Sequence, residues 1–167
     1  MNIVVVIILV LVAAMVIGPV AMLRPSPGQK RRDNLRARAR QNGLSVNLRL
    51  PPRASTDLEA PSHTPVYSLI SKGHCNWFLL RTRYAHQAHL NDWWQFVANK
   101  PSTAVETFLV QNLDRLPKGV IGVGSQGSEL VVFWREIGEL EAVDTIGEFL
   151  QQLAECQLSS TSSLTSP

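Results

Sequence analysis

The sequence predicts an α+β protein: one N-terminal transmembrane helix, a basic juxtamembrane helix, and a small domain whose mainly antiparallel sheet is covered by about three helices. Three observations predict it. Residues 3 to 23, IVVVIILVLVAAMVIGPVAML, carry no charged side chain. Seven cations then face a single acid, Asp33, between residues 24 and 40. From residue 44 to residue 156 the apolar spacing moves from period two to the helical period and back again.

The apolar run comes first. At ~1.5 Å per residue it spans roughly 30 Å, the hydrocarbon thickness of a bilayer. A soluble helix would keep a polar face, and this one has none. A cleaved signal peptide wants a positive region before the apolar run, whereas here only Met1 and Asn2 precede it. The expectation is an uncleaved, single-pass anchor in a bacterial inner (plasma) membrane. Cations after the span place the N-terminus outside and the C-terminal domain in the cytoplasm. Cys75 and Cys156, far apart and in no framework pattern, suit a reducing compartment.

Residues 24 to 43 follow. Pro25 and Pro27 interrupt the helix, Ser26 can cap a new one, and Gly43 ends it. Arg32, Arg36 and Arg40 recur every four residues and form one basic stripe. Leu35 is the only large apolar side chain, so firm docking into a core is not expected. Arg24, Lys30, Arg31, Arg32, Arg36, Arg38 and Arg40 are candidates for contact with anionic lipid headgroups, each contributing ~1 kcal/mol. The bland alternative is a positive stop signal that only sets topology. No aromatic residue interleaves with these arginines to stack bases. The whole chain is +3 at pH 7, so the remainder beyond this segment is net acidic. No nucleic-acid partner is expected.

The domain occupies residues 44 to 156. Leu44, Val46, Leu48 and Leu50 alternate with polar residues, the signal of a half-buried strand. Residues 51 to 65 read as a Pro-rich loop or linker. Strand character returns at 66–70 and 76–84, with Gly73 in the turn between. Residues 88 to 99 suit a helix with Leu90, Trp93, Trp94 and Val97 inward. A second helix carries a Thr103/Glu106 capping box and stops before Pro117 and Gly119. A last helix starts near Asp144, with Ile146, Phe149, Leu150 and Leu153 on one face. Residues 157 to 167 are small and polar and read as a disordered tail.

Three features could carry chemistry. Gly122, Gly124 and Gly127 spell the G-x-G-x-x-G of a dinucleotide-binding turn, which needs a helix after the glycines. SELVVFW follows instead, rich in strand formers. The glycines therefore read as turn residues of a β-hairpin, with Val120–Val123 pairing against Leu130–Phe133, and no cofactor is expected. Cys75, His86 and His89, with His74 nearby, could supply zinc ligands. Cys75 with a histidine, oriented by Asp92, could form a nucleophile–base pair. The spacing matches no zinc motif, and the bland reading is surface histidines with a buried thiol. Trp93 and Trp94 cannot both be fully buried on one helix face, so one is expected in the core, while the other either packs as well, against the loop 51 to 65, or lies at a partner interface.

The layout of an apolar span followed by RPSPGQKRRDNLRARARQNG resembles the YajC accessory subunit of the bacterial preprotein translocase. The likeness covers residues 3 to 43, and it ends at Gly43, where that family's small glycine-punctuated β-segment is replaced by a larger α+β domain. It implies the same topology, N-terminus out. The functional expectation is a membrane-tethered, non-catalytic adaptor or accessory subunit with a protein partner. The alternatives are a translocase-associated subunit, or a small-ligand or zinc-binding sensor or enzyme using the His/Cys cluster.

Overall fold

The computed structural model describes the backbone of residues 2–22, 26–53 and 62–162, with side chains for 2–15, 26–53 and 62–160. The chain divides into two compact units, Met1–Asp33 and Asn34–Pro167. Helix α1 spans Ile3–Met22. The expected transmembrane anchor over residues 3 to 23 does not stand, because no helix among the described residues is long and apolar enough to cross a membrane. The single-pass, inner-membrane placement with a cytoplasmic domain loses its basis with it.

Helix α2, Pro27–Gln41, has clear local causes. The Ser26 hydroxyl accepts from the Gln29 amide at 3.2 Å, and Pro27 occupies the first helical position, where a missing N–H costs nothing. At the other end Gly43 takes φ +76°. Its amide donates to the Arg40 carbonyl at 3.0 Å and the Leu44 amide to that of Ala39 at 2.9 Å. This is the paired bonding of a Schellman stop, with Leu44 buried behind it.

The sheet is antiparallel throughout its four described strands. Strand β1 is Ser45–Arg49, β2 Thr64–Arg81, β3 Trp94–Phe96 and β4 Val120–Trp134. The two runs expected at 66–70 and 76–84 are thus one strand. β2 is the spine, paired along its length with β4, from Val66↔Phe133 to Leu80↔Gly122. The register shifts between Ile70 and Cys75, where Ser71 to His74 on β2 stand opposite Ser128 alone. This bulge divides the ladder into two arms. β1 pairs with the first arm (Ser45↔Ser68 to Arg49↔Thr64) and β3 with the second (Leu79↔Phe96 to Arg81↔Trp94).

The expected hairpin within 120–134 is corrected. Its halves do not pair with each other, since both pair with β2. The strand nonetheless curls, for the Arg135 amide donates to the Gly119 carbonyl at 3.0 Å and the Trp134 indole to Lys118 O at 2.9 Å. Gly127, at φ +61° opposite Cys75, supplies the bend. Gly122 and Gly124 have a different cause. A Cβ at Gly124 would collide with the Phe78 ring and lie 2.8 Å from the Trp77 carbonyl, and one at Gly122 would lie 2.9 Å from Phe78 Cε1. Phe78 lies across the two glycines, so their spacing records an aromatic ring and not a phosphate.

The helices cover one sheet face. Helix α3 is Thr103–Asn112, continued by a 3-10 turn over Leu113–Arg115, and α4 is Leu140–Ser162. Tyr67, Trp77, Leu79, Val123, Leu130, Val132 and Trp134 from the sheet meet Leu109, Val143, Ile146, Leu150 and Leu153 in the main core. A smaller cluster, Val66, Phe78, Leu80, Val131 and Phe133, lies on the opposite face. α4 begins earlier than Asp144 and ends later than residue 156. Gln157 is only 1% exposed, and Ser159 and Ser160 bond back to the Glu155 and Gln157 carbonyls. The tail beyond Ser162 lies outside the described residues, as do Arg24 and residues 54–61 of the expected loop.

Candidate functional site

The segment expected as a helix over 88–99 is not one. Residues 82–93 form turns, and β3 begins at Trp94. The cause is the Asn91-Asp92 pair, which takes φ +46° and +61°. These are residue types that tolerate the left-handed region better than most and that mark turns. The Trp93 amide donates to the Asn91 carbonyl at 2.7 Å, closing a three-residue turn of the strained hand about Asp92. Strand-like alternation then separates the two tryptophans completely. Trp94 is 4% exposed in the core, while Trp93 is 44% exposed.

Beside this turn is a cleft of about 590 Å³, whose lining includes Tyr84, His86, His89, Trp94, Phe96 and Lys100. Three elements build it. The turn segment supplies Tyr84, His86 and His89. β3 supplies Trp94 and Phe96, and α3 contributes Glu106. The segment is closed by short bonds: the His86 amide to Asp92 O at 2.9 Å, the Thr82 amide to Trp93 O at 2.7 Å, and a two-bond bridge between Leu90 and Trp94. Asn91 Nδ2 ties it to α3 through the Val110 carbonyl at 2.8 Å. Tyr84 packs on His89 and His89 on His86, with ring centroids 5.4 and 5.3 Å apart. Lys100 Nζ stands 5.6 Å from the centre of the Phe96 ring. Gln95 Oε1 is buried with no hydrogen-bond partner among the described residues.

Cys75 is not brought to these histidines. It sits mid-way along β2 opposite Gly127, while His86 and His89 lie beyond the end of that strand. At ~3.3 Å per residue the strand alone separates them by about 20 Å. His74 is exposed in the bulge. Among the described residues no group of three His, Cys, Asp or Glu side chains could hold a metal ion. The Ala88 amide donates to His86 Nδ1 at 3.1 Å, so the neutral ring carries its proton on Nε2 and that nitrogen has no lone pair for a metal. Asp92 meets His86 only through its backbone carbonyl. Burial pushes the Cys156 thiol up from its ordinary value, which opposes thiolate chemistry there.

The basic helix also differs from its expected role. Leu35 and Ala39 are 1% and 0% exposed and belong to the main core, so the second half of α2 docks firmly. Arg36 does not continue a solvated stripe. Its guanidinium forks onto Glu136, at 2.8 and 3.2 Å, and Glu136 is 4% exposed at φ +56°. The Tyr67 hydroxyl approaches the same carboxylate at 3.3 Å. Burial, then the negative charge of Glu136, pushes the Tyr67 phenol well above its usual range, so it stays neutral. Arg38 forks onto Asp144 at 2.8 and 3.1 Å, and Asn42 adds a third bond at 2.7 Å. The Arg38 hydrogen bond, then that of Asn42, holds the Asp144 carboxyl below its ordinary value. Lys30, Arg31, Arg32 and Arg40 are exposed.

Sequence reasoning missed Tyr84, Gln95, Phe96 and Lys100 as cleft residues. The signal for the first was local: Thr82 and Tyr84 continue the alternation of β2 beyond Arg81 into the turn. The others follow only once residues 94–96 are read as strand. Comparison of the chain with protein-family models, with curated proteins and with solved structures gives no match.

Proposed function

We propose that this chain is a non-catalytic accessory or adaptor protein whose unit Asn34–Pro167 docks a partner protein at the aromatic cleft beside Trp93. The observation that carries this reading is Trp93 itself, held 44% exposed by a turn with two residues at positive φ. A fold gains nothing from straining its backbone to present a large aromatic ring to water, and such strain clusters where binding rewards it. Tryptophan and tyrosine anchor interfaces because they carry a large apolar area with few rotors to immobilise. Tyr84, 50% exposed, and the half-buried Phe96 line the cleft next to that turn. Lys100 and Glu106 give it one charge of each sign, suited to fixing the register of a bound segment.

A photo-crosslinking residue placed at position 93 of the full-length chain tests this in cells. The expected result is one discrete protein adduct, lost when Tyr84→Ala and Phe96→Ala are added. Equal, diffuse labelling from position 93 and from the exposed helix position Gln111 would sink the reading.

A further inference from the structure

We infer that the His86–His89 pair makes segment 82–93 a pH-sensitive latch on the cleft, closed while both imidazoles are neutral and released when both are protonated. As regulation of the cleft it rests on the docking reading, but the latch itself is a property of the free chain.

The argument starts from hydrogens. The Ala88 amide can only donate, so His86 Nδ1 accepts and the ring proton sits on Nε2. Thr82 has one hydroxyl hydrogen and stands 2.7 Å from the Tyr84 carbonyl and 2.9 Å from that of Trp93. Its hydrogen goes to one of those carbonyls, so toward His89 Nδ1, 3.4 Å away, the hydroxyl oxygen accepts. His89 therefore carries its proton on Nδ1 and keeps a lone pair on Nε2. The two rings hold complementary tautomers, each fixed by the segment's own bonds.

Acid disturbs them unequally. His89 takes a proton on Nε2 without losing its contact to Thr82. His86 can take one only on Nδ1, which turns the acceptor facing the Ala88 N–H into a second donor. The Ala88 bond must then break. Two imidazolium rings with centroids 5.3 Å apart also repel each other.

The surrounding charges do not cancel this. Lys100, from the loop after β3, adds a cation to the same cleft, and Glu106 on α3 is the carboxylate that lines it. Arg81 and Arg83 flank the segment at the end of β2, Asp92 is exposed at its turn, and Tyr84 packs on His89 as a neutral ring. The strain at Asn91 and Asp92 is then free to relax, while the bond from Asn91 to Val110 keeps that end attached as a hinge.

Hydrogen exchange on the full-length chain, corrected for intrinsic rates, tests the latch at about pH 7.5 and about pH 5. The amides of His86, Ala88 and His89 should lose about tenfold in protection at the lower pH, while those of Leu79 and Val123 hold. Histidine side-chain NMR should show His86 Nδ1 gaining its proton over the same pH range. In the double variant His86→Asn/His89→Asn the amide side chains replace the Nδ1 acceptor and donor without titrating, and protection should no longer depend on pH. Unchanged wild-type protection at about pH 5 would overturn the latch. So would protonation of His86 that leaves Ala88 protected, or the same pH response in the double variant. These measurements need no partner, so a failed latch and a failed crosslink at position 93 are separate results.

Discussion

At the first arm of β2, Arg36 closes on the buried Glu136 with Tyr67 behind it, and the Tyr67 ring meets Trp134 edge-on at 5.4 Å. At the second arm the chain leaves β2 through a turn with two residues at positive φ, exposes Trp93, and leaves Gln95 Oε1 buried without a partner among the described residues. The same strand supports both. The first arm gathers β1, the docked half of α2 and the start of α4, and there Arg36, Arg38 and Arg49 each pair with a carboxylate. The second arm gathers β3 and the turn segment around an open cleft. One end of the sheet is satisfied enough for the other to hold strain, and strain is where a binding role is to be sought.

The contrast can be broken from either end. Arg36→Ala should have the largest effect, because it strands a carboxylate that is 4% exposed. Breaking a buried pair from one side costs about 3–5 kcal/mol. Urea denaturation measures it, and Arg36→Met with Glu136→Gln should recover most of the loss. A single-variant loss under about 1 kcal/mol would show that Glu136 finds water instead.

Gly124→Ala comes next, at about 1–3 kcal/mol, because the added methyl must displace Phe78 or the backbone at Trp77. Combined with Phe78→Ala it should couple favourably, by about 1 kcal/mol in a double-mutant cycle. Strict additivity would mean that Phe78 does not lie over the glycine.

At the strained turn the sign reverses. Asp92→Gly removes the cost of holding a side chain at φ +61°, and should raise stability by about 0.5 kcal/mol while weakening crosslinking from position 93. Back at the first arm, Asp144→Ala should cost about 0.5 kcal/mol near neutral pH, a small figure because Asp144 is 34% exposed and Arg38 43%. Its folded carboxyl lies below the unfolded value. The contribution is therefore full above the ordinary carboxylate range and fades as pH falls through the lowered value, so wild type and variant should converge in strong acid. Trp93→Ala should change stability least, within about 0.5 kcal/mol, and abolish copurification of the crosslinked partner. A large loss of stability there would make Trp93 a core residue after all.

The legible parts of the fold were those with a local cause. The alternation of Leu44 to Leu50 marks β1, and Gly43 marks the end of α2, because each is written within a few residues. The illegible parts needed a distant partner. Nothing near Arg36 announces Glu136, a hundred positions on, so a docked helix read as a solvated stripe. Gly122 and Gly124 suggest a turn until Phe78 is known to lie across them. Asn91-Asp92 did carry a turn signal, but the helical spacing of Leu90, Trp93, Trp94 and Val97 outweighed it. Of the site, the two tryptophans and two histidines could be singled out from the sequence. Tyr84, Phe96 and Lys100 could not, because the cleft exists only once β3 is a strand.

The bulge between Ile70 and Cys75 bears on how this chain can change length. On β2 the stretch Ser71–His74 faces a single residue, and each arm keeps its own register on either side. A residue added at the exposed Lys72 would lengthen the bulge and leave both ladders as they are. One removed between Val120 and Gly124 would turn every following side chain of that arm to the opposite face. The middle of β2 is thus a neutral site for insertion within a strand that tolerates none elsewhere, and variation in length among copies of this fold should collect there.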